Sequence, residues 1–198
     1  PMSLPPAYQS AAPFGVDIGG VAPDFVALSA DAGTDSWLTV GYVDGFSGSD
    51  LMASPGTPER LNFWTADAGV TLTNDAVFRL PTNGASGSVV IAQLTVQGTW
   101  SATLNAQGRN NDGTDWEARG IEFSGVGGGG GGGPAPIPAE DLAPTVTTVD
   151  SGANGDTVRL SVQLGADQAN MYAIFGDPDS PMSLPPAYQS AAPFGVDI

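Results

Sequence analysis

The 198 residues contain no Cys, His or Lys, and the five basic residues, all Arg, face 21 Asp and Glu for a net charge of −16. These absences exclude Ser-His-Asp and Cys-His nucleophilic systems, Lys Schiff bases, Cys/His zinc centres and disulfides built from this chain alone. The charge opposes binding to nucleic acid and to anionic membrane, and no apolar run reaches the length of a membrane-spanning helix.

The chain opens on Pro-Met-Ser-Leu-Pro-Pro-Ala-Tyr-Gln-Ser-Ala-Ala-Pro-Phe-Gly-Val-Asp-Ile, and residues 181–198 repeat residues 1–18 letter for letter. The period is 180 residues, far beyond the roughly 20–50 residues of a solenoid unit. It is domain-sized, so the sequence reads as one period and the start of the next in an array of whole domains. The other reading is a single permuted domain with overlapping ends. Tyr8, in this Pro-rich opening, is expected to pin the loop to a sheet.

From there the chain is a series of short β-rich runs broken by Gly, Asp, Asn and Pro. Strands are expected over 25–29, 36–42, 70–73, 76–80, 88–96, 100–106, 116–124, 145–149, 157–164 and 170–175. Val89-Val90-Ile91-Ala92 is continuously apolar, which suits a central strand buried on both faces. In 157–164 the alternation is clean: Val158, Leu160, Val162 and Leu164 face a core, while Arg159 and Gln163 face water. No stretch has helical period. About ten short strands with frequent turn signals predict an all-β fold, a β-sandwich repeated in tandem with Gly/Pro-rich linkers.

Residues 125–144 break the pattern. Seven consecutive glycines, 127–133, are followed by Pro134, Pro136 and Pro138, a composition expected to give a flexible stretch and then a stiffer one. A phosphate cradle is excluded, because no Gly-Lys-Ser/Thr follows. The expected organisation is therefore 1–125 as the main part of a β-sandwich domain, 126–144 as linker, and 145–198 as the first strands of the next repeat's domain. On that division the strands between 145 and 175 complete sheets whose other strands belong to an adjacent period.

The oxygen-rich run Asn110-Asn111-Asp112-Gly113-Thr114-Asp115-Trp116-Glu117 is the candidate for chemistry. Asp112 and Asp115, with neighbouring carbonyls, have the ligand type that Ca²⁺ takes, although the EF-hand spacing is not met. Asp112-Gly113 is equally a strong hairpin turn signal, and a turn and a calcium site are compatible. Asp44-Gly45 and Asp177-Pro178-Asp179 are weaker versions. Paired carboxylates also serve glycoside hydrolysis, but nothing marks one acid out. Trp37, Trp64, Trp100 and Trp116 lie in or beside strands and read as core packing; exposed rings would instead make a sugar platform. No Asn-x-Ser/Thr sequon occurs. Dipeptides ending at Pro55, Pro58, Pro136 and Pro144 have the composition of O-glycosylated wall glycoproteins of algae and plants.

The runs Asn170-Met171-Tyr172-Ala173-Ile174-Phe175-Gly176, Pro181-Met182-Ser183-Leu184-Pro185-Pro186-Ala187-Tyr188-Gln189, Pro13-Phe14-Gly15, Asp35-Ser36-Trp37-Leu38-Thr39-Val40-Gly41 and Ala92-Gln93-Leu94-Thr95-Val96 together resemble large tandem-repeat surface proteins of algae and other aquatic microbes. The resemblance implies a secreted or surface module, in the setting of a flagellar hair or wall fibril, and carries no catalytic residues. The expected function is structural and non-enzymatic: an extracellular filament, fibril or surface coat whose partners are copies of itself, with O-linked glycans on the Pro-rich segments and no cofactor besides Ca²⁺. The alternative is an adhesin or carbohydrate-binding array.

Overall fold

The computed structural model describes residues 17–45, 50–127 and 142–187. The expectations placed on Tyr8, Pro134, Pro136 and Pro138 lie outside the described residues. Strand dominates the fold, in two antiparallel sheets. The strands are β1 (Trp37–Leu38), β2 (Leu51–Ala53), β3 (Thr71–Leu72), β4 (Asp75–Arg79), β5 (Ser88–Val96), β6 (Gly98–Asn110), β7 (Asp115–Gly127), β8 (Ala143–Gly152), β9 (Gly155–Gln163), β10 (Gln168–Gly176) and β11 (Met182–Ser183). A four-stranded sheet runs β1-β5-β9-β8; a seven-stranded sheet runs β2-β4-β10-β6-β11-β3, with β7 also paired to β6. One buried cluster draws on both, joining Ile91, Leu94 and Leu160 to Leu104, Ile121, Phe123 and Ile174.

The strong alternating patterns fold as read except at Arg159, expected to face water and found half-buried. β5 is an interior strand, buried continuously from Ile91 to Val96. On β9, Val158, Leu160 and Val162 are buried and Gln163 is exposed. Its outer face is covered as well. Thr157 Oγ1 lies 2.7 Å from Thr95 Oγ1. Arg159, half-buried, donates from Nε to Gln93 Oε1 at 3.1 Å, and its guanidinium stands 5.9 Å from the Trp37 ring centroid. Two expected strands fail locally. Of 36–42 only Trp37–Leu38 is strand. The stretch 25–28 is helix, not strand: α1 spans Pro23–Leu28, followed by α2, Ala30–Gly33. Pro23 presets the first helical φ and Asp24 suits the positive end of the first turn. The residues are too exposed for a core strand, Leu28 being 72% accessible. A third short helix, α3 (Thr57–Leu61), was not signalled by periodicity.

The expected division of the chain is also corrected. β9 pairs with β5 from Ser88↔Gln163 to Val96↔Asp156, and β8 lies on its other side. β10 pairs with β4 and β6. Strands from both sides of the glycine-rich segment therefore interleave in the same two sheets, within one chain. The physical reason is that even a long connection closes at little extra cost, since the entropy of closure rises only logarithmically with length. β7 and β8 lie against each other, so in this chain the strands on either side of the segment share the same pair of sheets.

The repeated segment is part of the core. β10 and β11 lie end to end along one edge of β6, with β7 on the other. β11 pairs Met182 with Leu72 and Ser183 with both Thr71 and Thr103. Met182, Leu184 and Ala187 are buried. The step between β10 and β11 is held by Asn105, fully buried at a break in the β6–β7 register. Its Nδ2 donates to Phe175 O at 3.0 Å and Ser180 O at 2.6 Å. Its Oδ1 accepts from Gly120 N at 2.9 Å and Ser180 Oγ at 2.8 Å.

The loops are tied by charge. Thr57 Oγ1, fully buried, donates to Asp75 Oδ1 at 2.8 Å, and Arg60 Nε donates to the same oxygen at 2.7 Å. The Thr57-Pro58 dipeptide therefore presents no free hydroxyl to a glycan. Arg79 donates to Asp50 Oδ2 at 3.1 Å and stacks on Tyr42, whose hydroxyl donates to Asp50 Oδ1 at 2.6 Å. That Tyr42 bond, with Arg79 adding to it, holds the Asp50 carboxyl below its ordinary range. The same bond, with burial, raises the Tyr42 phenol. The signs differ in consequence. A depressed carboxyl contributes stability above its unfolded pKa, near 4, and loses it as pH falls through the folded value. A raised phenol contributes fully below its unfolded pKa, near 10, and loses it as pH rises through the folded value. Urea midpoints are expected to be flat from about pH 5 to pH 9 and to fall on both sides, with Asp50→Asn reducing the acid slope and lowering the Tyr42 pKa. An acid slope identical in Asp50→Asn and the parent would refute this assignment.

Candidate functional site

The β6–β7 hairpin carries the residues singled out for chemistry. At its tip Asp112 Oδ1 accepts from Thr114 N at 2.9 Å and Thr114 Oγ1 at 2.6 Å. Gly113 sits at φ 86°, the left-handed region such a turn needs. The Thr114 bonds, side chain before backbone, hold the Asp112 carboxyl below its ordinary range. Asp115 faces along the hairpin to Arg109, whose Nε and Nη2 both reach Asp115 Oδ1 at 3.1 Å. The turn is thus built as the dipeptide signalled. The two acids expected as Ca²⁺ ligands each have a partner of their own, and among the described residues no group of three or more acids is placed to share a metal.

Behind the tip is a cleft of about 780 Å³ between the hairpin and the β9–β10 turn. Asn111 bridges the two, donating from its backbone N to Asp167 O at 2.9 Å and from Nδ2 to Ala166 O at 2.8 Å. Gln168 Oε1 accepts from Gly165 N at 2.7 Å and closes the turn. Asp112, Glu117 and Asp167 line the cleft along with Trp116. Trp116 lies across Gly108, its cross-strand partner, where a Cβ would come within 2.4 Å of the ring; its Nε1 donates to Asn170 O at 3.0 Å. Trp100 covers Gly125 in the same way further along the hairpin. These Trp-over-Gly pairs fill the gap a strand glycine leaves, and they use the rings up. All four tryptophans are buried, Trp116 the most accessible at 9%.

The site therefore offers acids and amides to a polar ligand, without an open stacking ring. Of the acids lining the cleft, Asp112 is held below its ordinary range by its hydrogen bonds to Thr114, whereas a general acid is pushed up. Asp177 ends β10 as the sequence suggested: its Oδ1 accepts from Asp179 N at 2.9 Å and Ser180 N at 2.7 Å, and its other oxygen pairs with Arg119. Sequence reasoning singled out the run from Asn110 to Glu117 but missed Asp167, across the cleft on the β9–β10 turn. The cleft arises where two turns meet, and a pattern within one strand does not report that.

Melting with excess Ca²⁺ and with a chelator tests the calcium expectation on Asp112 and Asp115: an unchanged midpoint leaves the hairpin turn alone. A rise in midpoint with Ca²⁺, abolished in Asp112→Ala, would instead establish the calcium site.

The chain matches no protein family, no curated protein and no solved structure. Among the described residues no helix is long and apolar enough to cross a membrane.

Proposed function

We propose that this chain is the repeating unit of an extracellular structural protein, in which β-sandwich domains follow one another along one polypeptide and pack head to tail as a filament, fibril or surface coat. The observation that supports the reading most is the 18-residue identity at a 180-residue offset, together with the place of its C-terminal copy. Residues 181–187 are needed inside the domain, as β11 and the buried Leu184 and Ala187. A domain that uses the opening residues of the following period is suited to continuous repetition, and identical surfaces repeated along a chain generate a linear or helical array. The four buried tryptophans favour this over a carbohydrate-binding array. That second reading keeps one observation in its favour, the polar cleft beside Asp112 and Asp167.

Negative-stain or cryogenic imaging of the native material tests the proposal. A domain of this size is roughly 40 Å across, and the residues between successive domains extend at most about 30 Å. Regular beads or striations every roughly 40–70 Å are expected. Dispersed single particles of one-domain size would overturn it.

A further inference from the structure

Different parts of the two copies are described, residues 17–18 of the first and 181–187 of the second. The described chain begins by pairing Ile18 with Leu38 in parallel, with Gly19 N donating to Leu38 O and Leu38 N to Asp17 O, both at 2.8 Å. It ends with residues 181–187 laid in a slot between β3 and β6. Met182 and Leu184 are buried to within 1% there, and Ser183 stands opposite Thr103. Pro185 and Pro186 stop the pairing after two residues, because proline has no N–H to give. Recognition therefore rests on the side chains of Met182 and Leu184 more than on the backbone.

Residues 1–7 carry the same Pro-Met-Ser-Leu-Pro-Pro-Ala. Whatever the slot gains from one copy it gains from the other. Residues 1–16 also contain no charged side chain, so this segment approaches a body of net charge −16 without adding like charge.

We propose that the slot between β3 and β6 is a strand-acceptor site, and that residues 1–7 of one chain complete the slot of a second copy. In the array, on whose repetition this inference rests, that copy is the preceding period. Each domain then runs from Asp17 to Ala187, its last strand supplied by the period that follows. Successive domains are separated by the nine residues 8–16, Tyr-Gln-Ser-Ala-Ala-Pro-Phe-Gly-Val, and the glycine-rich segment lies inside each domain. Tethering makes the donor local in the array. Between separate chains the same exchange is concentration-dependent.

The chain has no cysteine of its own, so every disulfide joins introduced positions. In the full 198-residue chain, Ser3→Cys with Thr103→Cys forms a link between positions 3 and 103 only when residues 1–7 enter a slot, and Ser183→Cys with Thr103→Cys reports the resident strand. Peptide mapping separates the 3–103 link from like-with-like 3–3 and 103–103 links, and a ladder made of those alone overturns the proposal. Leu184→Asp is added to the first pair to weaken the resident strand. After oxidation, a non-reducing gel is expected to show dimers and a ladder that grows with protein concentration, and Leu4→Asp is expected to remove it. Monomer alone at every concentration, whether internally linked or with free thiols, overturns the proposal. If Leu184→Asp does not fold by circular dichroism, the Ser3/Thr103 pair is used in the parent background after refolding from denaturant, where the two copies compete. A ladder is again expected, and its absence again overturns strand donation. Failure here leaves a filament joined by the peptide chain alone. A ladder from a protein whose native material shows no array leaves the slot standing and removes the array.

Discussion

Asn105→Ala is expected to lower the free energy of unfolding by about 3–5 kcal/mol, moving the urea midpoint with little change in slope. The side chain makes four hydrogen bonds from a fully buried position, to Phe175 O, Ser180 O, Gly120 N and Ser180 Oγ. Its truncation strips the partners of bonds at the step between β10 and β11. Each buried polar group left unsatisfied costs about 1–3 kcal/mol, against about 1 kcal/mol for the net worth of an ordinary hydrogen bond. The penalty therefore exceeds what the lost volume alone would give. Asn105→Asp serves as the informative companion. It keeps the acceptor for Gly120 and Ser180 but points a carboxylate at two carbonyl oxygens, so it is expected to be no better than Ala near neutral pH. An Asn105→Ala protein as stable as the parent would mean that the β10–β11 step is not held as described.

Leu184→Ala is expected to cost about 2–5 kcal/mol, the range for a leucine removed from a packed site. Leu184 is 0% accessible although it follows a two-residue strand. Leu80→Ala is the control: Leu80 is 50% accessible at the end of β4, and the same change there should stay within about 0.5 kcal/mol. Chemical denaturation of both variants checks the pair. Equal, small effects would mean that the repeated segment only rests on the surface, and would remove the physical basis for treating it as a structural element of the domain.

The elements of this fold that are legible in the sequence are those in which one strand's own side chains record both faces. β5 and β9 are plain, because Val89–Val96 and Val158–Leu164 must be covered from at least one side whatever their neighbours are. The Asp112-Gly113 turn is legible for a similar reason, since the residues that need the turn are the residues that make it. The illegible elements depend on partners far away. β11 is two residues between prolines and becomes a strand only because β3 and β6 leave a slot of that length. Asn105 looks like an exposed polar residue in a strand until Ser180 is beside it. The helix at Pro23–Leu28 has a run of apolar residues that resembles a strand, and only the Pro-Asp start distinguishes it. The glycine run misled in a different way. Its composition speaks of flexibility, but flexibility says nothing about whether the chain on either side belongs to one domain. The pairing of β9 with β5 answers that question.

The shortness of β11 has a mechanical meaning. In an array under tension, force enters each unit near Ile18, at the end of β1, and leaves near Ala187, just after β11. From the Ala187 end, the first element to carry the load is β11, held by two residue pairs to β3 and one to β6, followed by the polar clasp at Asn105. Releasing the chain from Gly176 to Ala187 would add about 35 Å of length per unit before any long strand is disturbed. Each domain would then act as a short, resettable spring in series with its neighbours, with stiffness set at its seam while the core stays folded.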